Sequence, residues 1–371
     1  MNYEYLENKK IVILGYGIEN KALVEFLIKK KVKAEITICD ARAEVRKEIK
    51  GVKWNLGKNY DKNLDRFDIV SRVAGYPLFS EEIKKALVSG AEVTSPVKLF
   101  FEFSPTKNII GVTGTKGKGT TSSLIFEIIK KAQKKVFWGG NIGIPIFGFM
   151  DKIKSDDWVV LELSSFLLED FNISPRLAVI TNFTKDHLAP ADPNNPNYHK
   201  SLKEYRQAKN NIIKFQKPED VAILNEKLEI KNWKLGQGKI IKFGKSELEN
   251  ELVGEHNKEN IAAAVEAARI IGIKNEIIKK TVKNFKGLNH RLQKVAYKKD
   301  ITYYNDSFAT TPEAAMTALN SFSSPIILLA GGAEKNLDFK KLARVIKSRV
   351  IFVVLLRGKA TPRLKREILR V

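Results

Sequence analysis

At 371 residues the chain is too long for one ordinary hydrophobic core, so two or three domains are expected. Its 43% apolar and 29% charged residues fit a soluble globular protein, and runs such as VIFVVLL (350–356) are far too short to span a bilayer. The polar opening MNYEYLENKK is no signal peptide, and a single cysteine, Cys39, excludes an internal disulfide and suits a reducing cytosol. The net charge of +23 raises the question of nucleic acid, yet the lysines are scattered, with no dense basic tail and no aromatic-interleaved stripe. No nucleic-acid partner and no membrane insertion are expected; a basic field of this kind helps gather polyanionic small substrates.

Short apolar runs alternate with amphipathic stretches, the pattern of an α/β protein with largely parallel sheets. KIVILGYG (10–17) reads as a buried strand, followed by a helix from about Glu19 to Lys31. EITICDA (35–41) and FDIVSRVAG (67–75) are further strands, and SEEIKKALVSG (80–90) is a helix closed by glycine. A second unit opens at KNIIGVTG (107–114) and continues through strands at 134–140, 157–165, 176–182 and 220–225. Helices at about 118–133, 199–215 and 257–272 separate or flank them. A third unit begins near Gly287, with strands ITYYNDS (301–307), PIILLAGG (325–332) and RVIFVVLLRG (349–358). With SPTKN (104–108) and FKGLNHR (285–291) as linkers, the expected domains are 1–105, 106–287 and 288–371.

The stretch GVTGTKGKGTTSS (111–123) lies between a strand and a helix, where a phosphate cradle belongs. It departs from G-x-x-x-x-G-K-[ST]: Val112 takes the first glycine slot and Gly119 the Ser/Thr slot. The physics survives the departure. Gly111, Gly114, Gly117 and Gly119 let backbone N–H groups turn inward around oxyanions, and the helix N-terminus adds partial positive charge. Lys118 supplies a point charge for β- and γ-phosphates, and Thr120 or Thr121 a hydroxyl for Mg²⁺.

The form G-[TS]-x-G-K-G-[TS] resembles the ATP loop of the Mur ligase and folylpolyglutamate synthetase superfamily, whose members join an amino acid to a carboxylate. Lys116 replaces the asparagine of the commoner GTNGK, and Gly119 before Thr120 is similar to the folylpolyglutamate branch. Further motifs follow: GGNIGIP (139–145), LELSSFLLE (161–169), TNFTKDHL (181–188), YRQAKNNI (205–212) and GEHNKENIAAA (254–264). LNHRL (288–292), NDSFATTPEAA (305–315) and LAGGAEKNLDF (329–339) complete the series. In order and spacing this is similar to the Mur ligases that add D-glutamate to UDP-N-acetylmuramoyl-L-alanine, from about residue 9 to the last. The hundred-residue unit ahead of the loop sets the chain apart from the folylpolyglutamate branch.

The resemblance implies a monomeric cytoplasmic ATP- and Mg²⁺-dependent ligase of peptidoglycan synthesis, working through an acyl phosphate. It implies a Rossmann-like UDP domain, a central P-loop ATPase domain and a Rossmann-like acceptor domain. Gly114, Thr115, Lys116, Gly117, Lys118, Gly119 and Thr120 would wrap ATP, with Asn257 and Asn260 on the adenine side and Arg291 and Asp306 reaching phosphate and ribose. Thr120 and Glu162 would hold one Mg²⁺, and His187 a second; Lys209 matches a lysine that is carbamylated in Mur ligases, which would make it an oxygen ligand. Lys118, Glu162, His187 and Lys209 are thus the expected catalytic set.

Gly15, Tyr16, Gly17, Asp40, Arg42, Gly75, Asn141 and Ser164 would contact the UDP substrate, and Thr310, Thr311 and Lys335 the amino acid. Taken alone, Asn257 reads as a helix N-cap and Asp40 as a dehydrogenase-type ribose ligand. Leu167, Ala189, Val73 and Phe308 depart from the family's usual Gln, Asp, Ser and Lys. The family pattern continues beyond the position of Val371, so the third unit is expected to be incomplete, with part of the glutamate site missing. Two other readings follow: a folylpolyglutamate-type or other Mur ligase, or a truncated nucleotide-binding homologue without catalysis.

Overall fold

A computed structural model describes residues 3–189 and 196–371, in two compact bodies. The first comprises Met1–Gly244 and Ala263–Lys274, the second Lys245–Ala262 and Asn275–Val371. Among the described residues no helix is long and apolar enough to cross a membrane.

The first body holds two parallel sheets. Its opening segment runs β1 (Lys10–Leu14), α1 (Ile18–Lys29), β2 (Glu35–Asp40), β3 (Lys53–Leu56), β4 (Ile69–Arg72), α2 (Glu81–Val88), β5 (Glu92–Thr94) and α3 (Pro96–Phe103). The strands pair in the order β3-β2-β1-β4-β5, so the chain leaves β1 in one direction and later returns on its other side. Such a reversal opens a crevice beyond the strands' carboxyl ends, where Gly15, Asp40 and the segment after Arg72 emerge. Helix α2 starts on Ser80, whose hydroxyl accepts from Ile83 N (3.3 Å). It ends with Gly90 at φ +89°, where Gly90 N donates to Leu87 O and Ala91 N to Ala86 O. This is the Schellman closure that a terminal glycine permits.

The second sheet is built from β6 (Ile109–Thr113), β7 (Val136–Gly140), β8 (Trp158–Glu162), β9 (Leu177–Ile180), β10 (Val221–Asn225) and β11 (Lys239–Phe243). Their order is β11-β10-β9-β6-β8-β7, all parallel, with α4 (Lys118–Lys131), α5 (Ser165–Leu168) and α6 (Leu202–Lys214) between them. Strand β6 is buried along its whole length because helices and neighbouring strands enclose it. A side chain on Gly111 would lie 2.9 Å from Pro175 Cγ and 3.2 Å from Ile212 Cδ1, so α6 packs directly on that strand's backbone. The reversal beside β6 puts the glycine-rich loop at the centre of the sheet's carboxyl edge.

Helix α7 (His256–Ile270) is divided between the bodies at Ala262 and Ala263. The second body continues through α8 (Asn275–Asn284), the antiparallel pair β12 (Gln293–Lys298) and β13 (Ile301–Asn305), and α9 (Pro312–Asn320). It then forms β14 (Ile326–Ala330), α10 (Lys340–Arg349), β15 (Val350–Leu355) and α11 (Thr361–Arg370), with β14 and β15 parallel. Leu319, Leu342, Ile346 and Leu364 from its three last helices pack a small core against these two strands.

Asn20 occupies the third glycine place of the GYGIEN loop and is fully buried. Its Nδ2 donates to Leu14 O (3.0 Å) and Gly15 O (2.8 Å), pinning α1 to the end of β1. Where a glycine would only permit close packing, this amide also satisfies carbonyls. Asn20→Ala is expected to destabilise the protein by about 1–3 kcal/mol, the cost of leaving a buried carbonyl underbonded. Urea unfolding followed by circular dichroism checks it.

Candidate functional site

The loop after β6 is shaped by contacts with its neighbours. Gly114 has φ +152°, and a Cβ there would lie 1.9 Å from Thr181 Oγ1, so no other residue fits. Gly117 takes φ +84° as the N-cap of α4, and no side chain caps that helix. The first-turn N–H groups of α4 therefore face the loop, where an anion is stabilised. Thr115 N donates to Asn182 O (3.1 Å) and Lys116 N to Asn182 Oδ1 (2.9 Å). Thr181 Oγ1 donates to Lys116 O (2.6 Å), and Thr115 Oγ1 to Thr184 O (3.1 Å). Tyr205 on α6 closes the clamp by donating its hydroxyl to Thr115 Oγ1 at 3.1 Å.

Two lysines converge on one carbonyl. Lys118 Nζ folds back to Gly114 O and Thr115 O, both at 3.1 Å. Lys209 Nζ reaches Gly114 O at 2.7 Å from α6, lies 4.8 Å from the Tyr205 ring and is 1% exposed. Burial, reinforced by the positive Lys118, pulls the Lys209 pKa well below its ordinary value, against the pull of Asp186 and Glu162. A shift in that direction favours the neutral, nucleophilic amine over the ammonium.

Thr120 in the first turn of α4 and Glu162 at the end of β8 are both buried. Val112 and Glu162 are register partners, which puts the carboxylate beside the phosphate loop. Asn141 Nδ2 donates to Glu162 Oε1 (3.1 Å) and Asn141 N to Glu162 O (2.9 Å), so an expected substrate contact and an expected metal ligand meet. His187 holds φ +56°, with its N–H on Asp186 Oδ1 (2.8 Å). Burial lowers its pKa, opposed by Asp186 and aided by Lys118 and Lys209, which favours the neutral ring that binds metals. Among the described residues no three His, Cys, Asp or Glu side chains form a closed metal cage. A hydroxyl, one carboxylate and a phosphate cradle instead fit Mg²⁺, which binds through one or two protein oxygens plus substrate phosphates.

In the first sheet, Asp40 receives Tyr16 N (2.7 Å), Arg42 N (2.9 Å), Arg42 Nε (2.8 Å) and Arg42 Nη2 (2.8 Å). Burial alone would raise the Asp40 carboxyl, but these bonds from Arg42 and Tyr16 hold it low. The Asp40 oxygens organise the GYG loop and Arg42. Gly15 has φ +84° and abuts Val73, where a Cβ would meet Cγ2 at 2.7 Å. Gly17 caps α1 without a side chain, Gly75 follows β4, and Ser164 caps α5 by accepting from Leu167 N (3.3 Å).

The remaining candidates lie in the second body. Asn257 is not an N-cap: it sits inside the first turn of α7, its Nδ2 donates to Val253 O (2.8 Å), and its Oδ1 accepts from Asn260 Nδ2 (2.9 Å). Arg291 and Asp306 come from two clasped segments, with Leu292 N on Asp306 Oδ1 (2.9 Å) and Phe308 N on His290 O (3.0 Å). The Arg291 guanidinium lies 4.8 Å over the exposed Phe308 ring. Thr311 caps α9 through Ala314 N (3.3 Å), Thr310 N bonds Phe308 O, and Lys335 is exposed on the loop after β14. Thr181, Thr184 and Tyr205, the clamp's contributors, lie within TNFTKDHL and YRQAKNNI, yet those motifs assign them no role.

The Mur ligase middle domain matches residues 112–250, and the Mur ligase glutamate ligase domain matches residues 290–370. The UDP-N-acetylmuramoylalanine–D-glutamate ligase of Acetivibrio thermocellus is 36% identical over 97% of this chain and 82% of its own length. The enzyme of the same name from Clostridium kluyveri is 36% identical over 95% and 81%. Among solved structures, the UDP-N-acetylmuramate-alanine ligase of Thermotoga maritima shares the fold at TM-score 0.57 and 18% identity, covering 98% of this chain and 89% of that one. MurF of Acinetobacter baumannii does so at TM-score 0.56 and 16% identity, covering 100% and 86%.

The steric test of the loop is Gly114→Ala. The added methyl cannot coexist with Thr181, so the variant is expected to keep its secondary structure but to bind an ATP analogue at least about tenfold more weakly. Calorimetric titration with Mg²⁺ and a non-hydrolysable ATP analogue checks it.

Proposed function

The chain belongs to the Mur ligase family, and from that premise we propose that it joins D-glutamate to UDP-N-acetylmuramoyl-L-alanine at the expense of ATP, in peptidoglycan synthesis. The observation that carries this reading is the braced loop 114–120, with Glu162 beside it on β8 and Lys209 bonded to it from α6. The alanyl carboxylate oxygen attacks the γ-phosphorus and ADP leaves, giving an acyl phosphate. The glutamate amine then attacks the carbonyl carbon, phosphate departs, and the nitrogen gives up a proton. Loop N–H groups and Lys118 bear the charge developing on phosphoryl oxygens, in a setting that needs no rearrangement.

Thr120 and Glu162 would hold one Mg²⁺ and His187 a second; the metal would supply neutralisation of charge on the reacting oxygens. Lys209, whose pKa burial pulls well down, would in its neutral form attack CO₂ through Nζ and release a proton to give a carbamate, whose oxygens could serve as metal ligands. Gly15, Tyr16, Gly17, Arg42, Gly75, Asn141 and Ser164 would seat the UDP-sugar, with Asp40 aligning Arg42. Asn257, Asn260, Arg291 and Asp306 would engage ATP, and Thr310, Thr311 and Lys335 the amino acid. Three domains divided at 105/106 and 287/288, a monomeric state and a cytoplasmic location complete the proposal.

Phosphate release should rise with UDP-N-acetylmuramoyl-L-alanine plus D-glutamate, yield the amide by mass spectrometry, and vanish with a magnesium chelator. Stimulation only by a folate plus L-glutamate would refute the assignment. Lys209→Ala should lose at least about a hundredfold in kcat. A short carboxylic acid should restore part of it; rates indifferent to that acid would remove the carbamate from the scheme.

A further inference from the structure

Arg72 closes β4 within the apolar run FDIVSRVAG, yet its side chain is 1% exposed. The guanidinium leaves its own sheet for the segment after β8. Nη2 donates to Phe166 O (3.1 Å) and Asp170 Oδ1 (3.3 Å) and lies 3.2 Å from Glu169 Oε2, while Nη1 donates to Tyr76 O (3.2 Å). A buried ion cluster of this kind holds surfaces together no better than apolar side chains of similar volume would. What it adds is direction.

Beyond the cluster, Glu169 Oε1 faces His199 Nδ1 at 3.5 Å, and His199 Nε2 lies 2.9 Å from Ser165 Oγ. The His199 ring lies flat on Phe166, with centroids 4.8 Å apart and planes 6° from parallel. Phe166 in turn meets the His187 ring edge-on at 5.2 Å, and His199 N donates to His187 O at 2.9 Å. His187 needs such restraint, because its φ of +56° is a backbone that L-residues seldom hold unaided. On its other side His199 touches Tyr205 at 5.2 Å, the residue that clamps Thr115. Arg72, Glu169, His199, Phe166, His187 and Tyr205 therefore run in contact from the end of β4 to the Thr115 clamp.

We propose that Arg72 is a positioning residue for the ligase reaction: through Glu169 and His199 it fixes the His187 turn beside the phosphate loop. The inference rests on the reading of His187 as a reaction-centre group. It ties the strand that borders the UDP-substrate crevice to the phosphoryl-transfer centre, so that displacement at one is felt at the other.

Arg72→Lys keeps the charge but loses the fork, and His199→Phe keeps the stack on Phe166 but loses both ring contacts. Each variant is compared with wild type for melting temperature, kcat and the three KM values. Imidazole ¹⁵N NMR of the nucleotide-free protein is simplified by there being only four histidines. The expected result is a kcat at least about tenfold lower, a KM for ATP within about twofold of wild type, and a shifted or split His187 signal. Should Arg72→Lys fail to fold, His199→Phe carries the test. A folded His199→Phe whose kcat stays within about twofold of wild type overturns the proposal. If wild type forms no amide at all, the ligase reading fails, and the His187 signal alone decides: a change on substitution supports the role of Arg72, and no change refutes it.

Discussion

The first body's chemistry is referred to one peptide carbonyl, that of Gly114. It accepts from Lys209 at 2.7 Å and from Lys118 at 3.1 Å, while the residue after it is clamped by Thr184 and Tyr205. A loop that must surround a polyanion needs bracing from outside, since inward-turned N–H groups do not hold one another. Here the Gly114 and Lys116 carbonyls and the Thr115 hydroxyl are engaged by α6 or by the segment after β9, and Thr115 N and Lys116 N donate to Asn182, so the loop holds its shape. Preorganisation of that kind costs nothing at the moment of reaction, which is why electrostatic stabilisation by fixed dipoles is effective. The price is sequence rigidity: Gly114 cannot carry a side chain, and Thr181 cannot move away without releasing Lys116.

How much of this was legible in the sequence follows from where the information resides. Strands buried on both faces, such as β1, β6 and β8, are continuous apolar runs and can be read directly. Strands β3 and β11 are half-exposed edge strands of mixed polarity, KWNL and KIIKF, and leave no such run. The β12–β13 hairpin turns on Lys299 and Asp300, both at positive φ, without the Asn-Gly or Asp-Gly pair that usually announces it. Helices α10 and α11 start without a side-chain cap, which removes the customary boundary signal.

The site divides in the same way. Lys118, Thr120 and Glu162 sit at fixed offsets from strand ends, so motif spacing finds them. Tyr205, Thr184 and Arg72 act across elements whose adjacency depends on sheet order, which no local window contains. A trace of Arg72 was nonetheless present: a charged residue inside an apolar strand must be paired or costly, and the one carboxylate in FDIVSRVAG, Asp68, instead accepts from Lys10 N. The Glu169–Asp170 pair supplies two, nearly a hundred residues on.

The electrostatics of the loop explain why Lys209 is worth burying at all. With Lys118 beside it, a second ammonium would be repelled in a region of low polarisability, and both burial and that neighbour drive Lys209 toward the neutral amine. In either protonation state Nζ can donate to Gly114 O, so the loop keeps its brace. On the proposed reading the same neutrality is what makes Nζ reactive toward CO₂, and the product reverses the local sign, from a surplus of cations to an anion that a divalent metal can share. A residue chosen only to brace the loop could have been a glutamine, which donates equally well and needs no charge removed. A lysine buried next to a lysine is the costlier solution, and it becomes intelligible once the amine, rather than the hydrogen bond, is what the site requires.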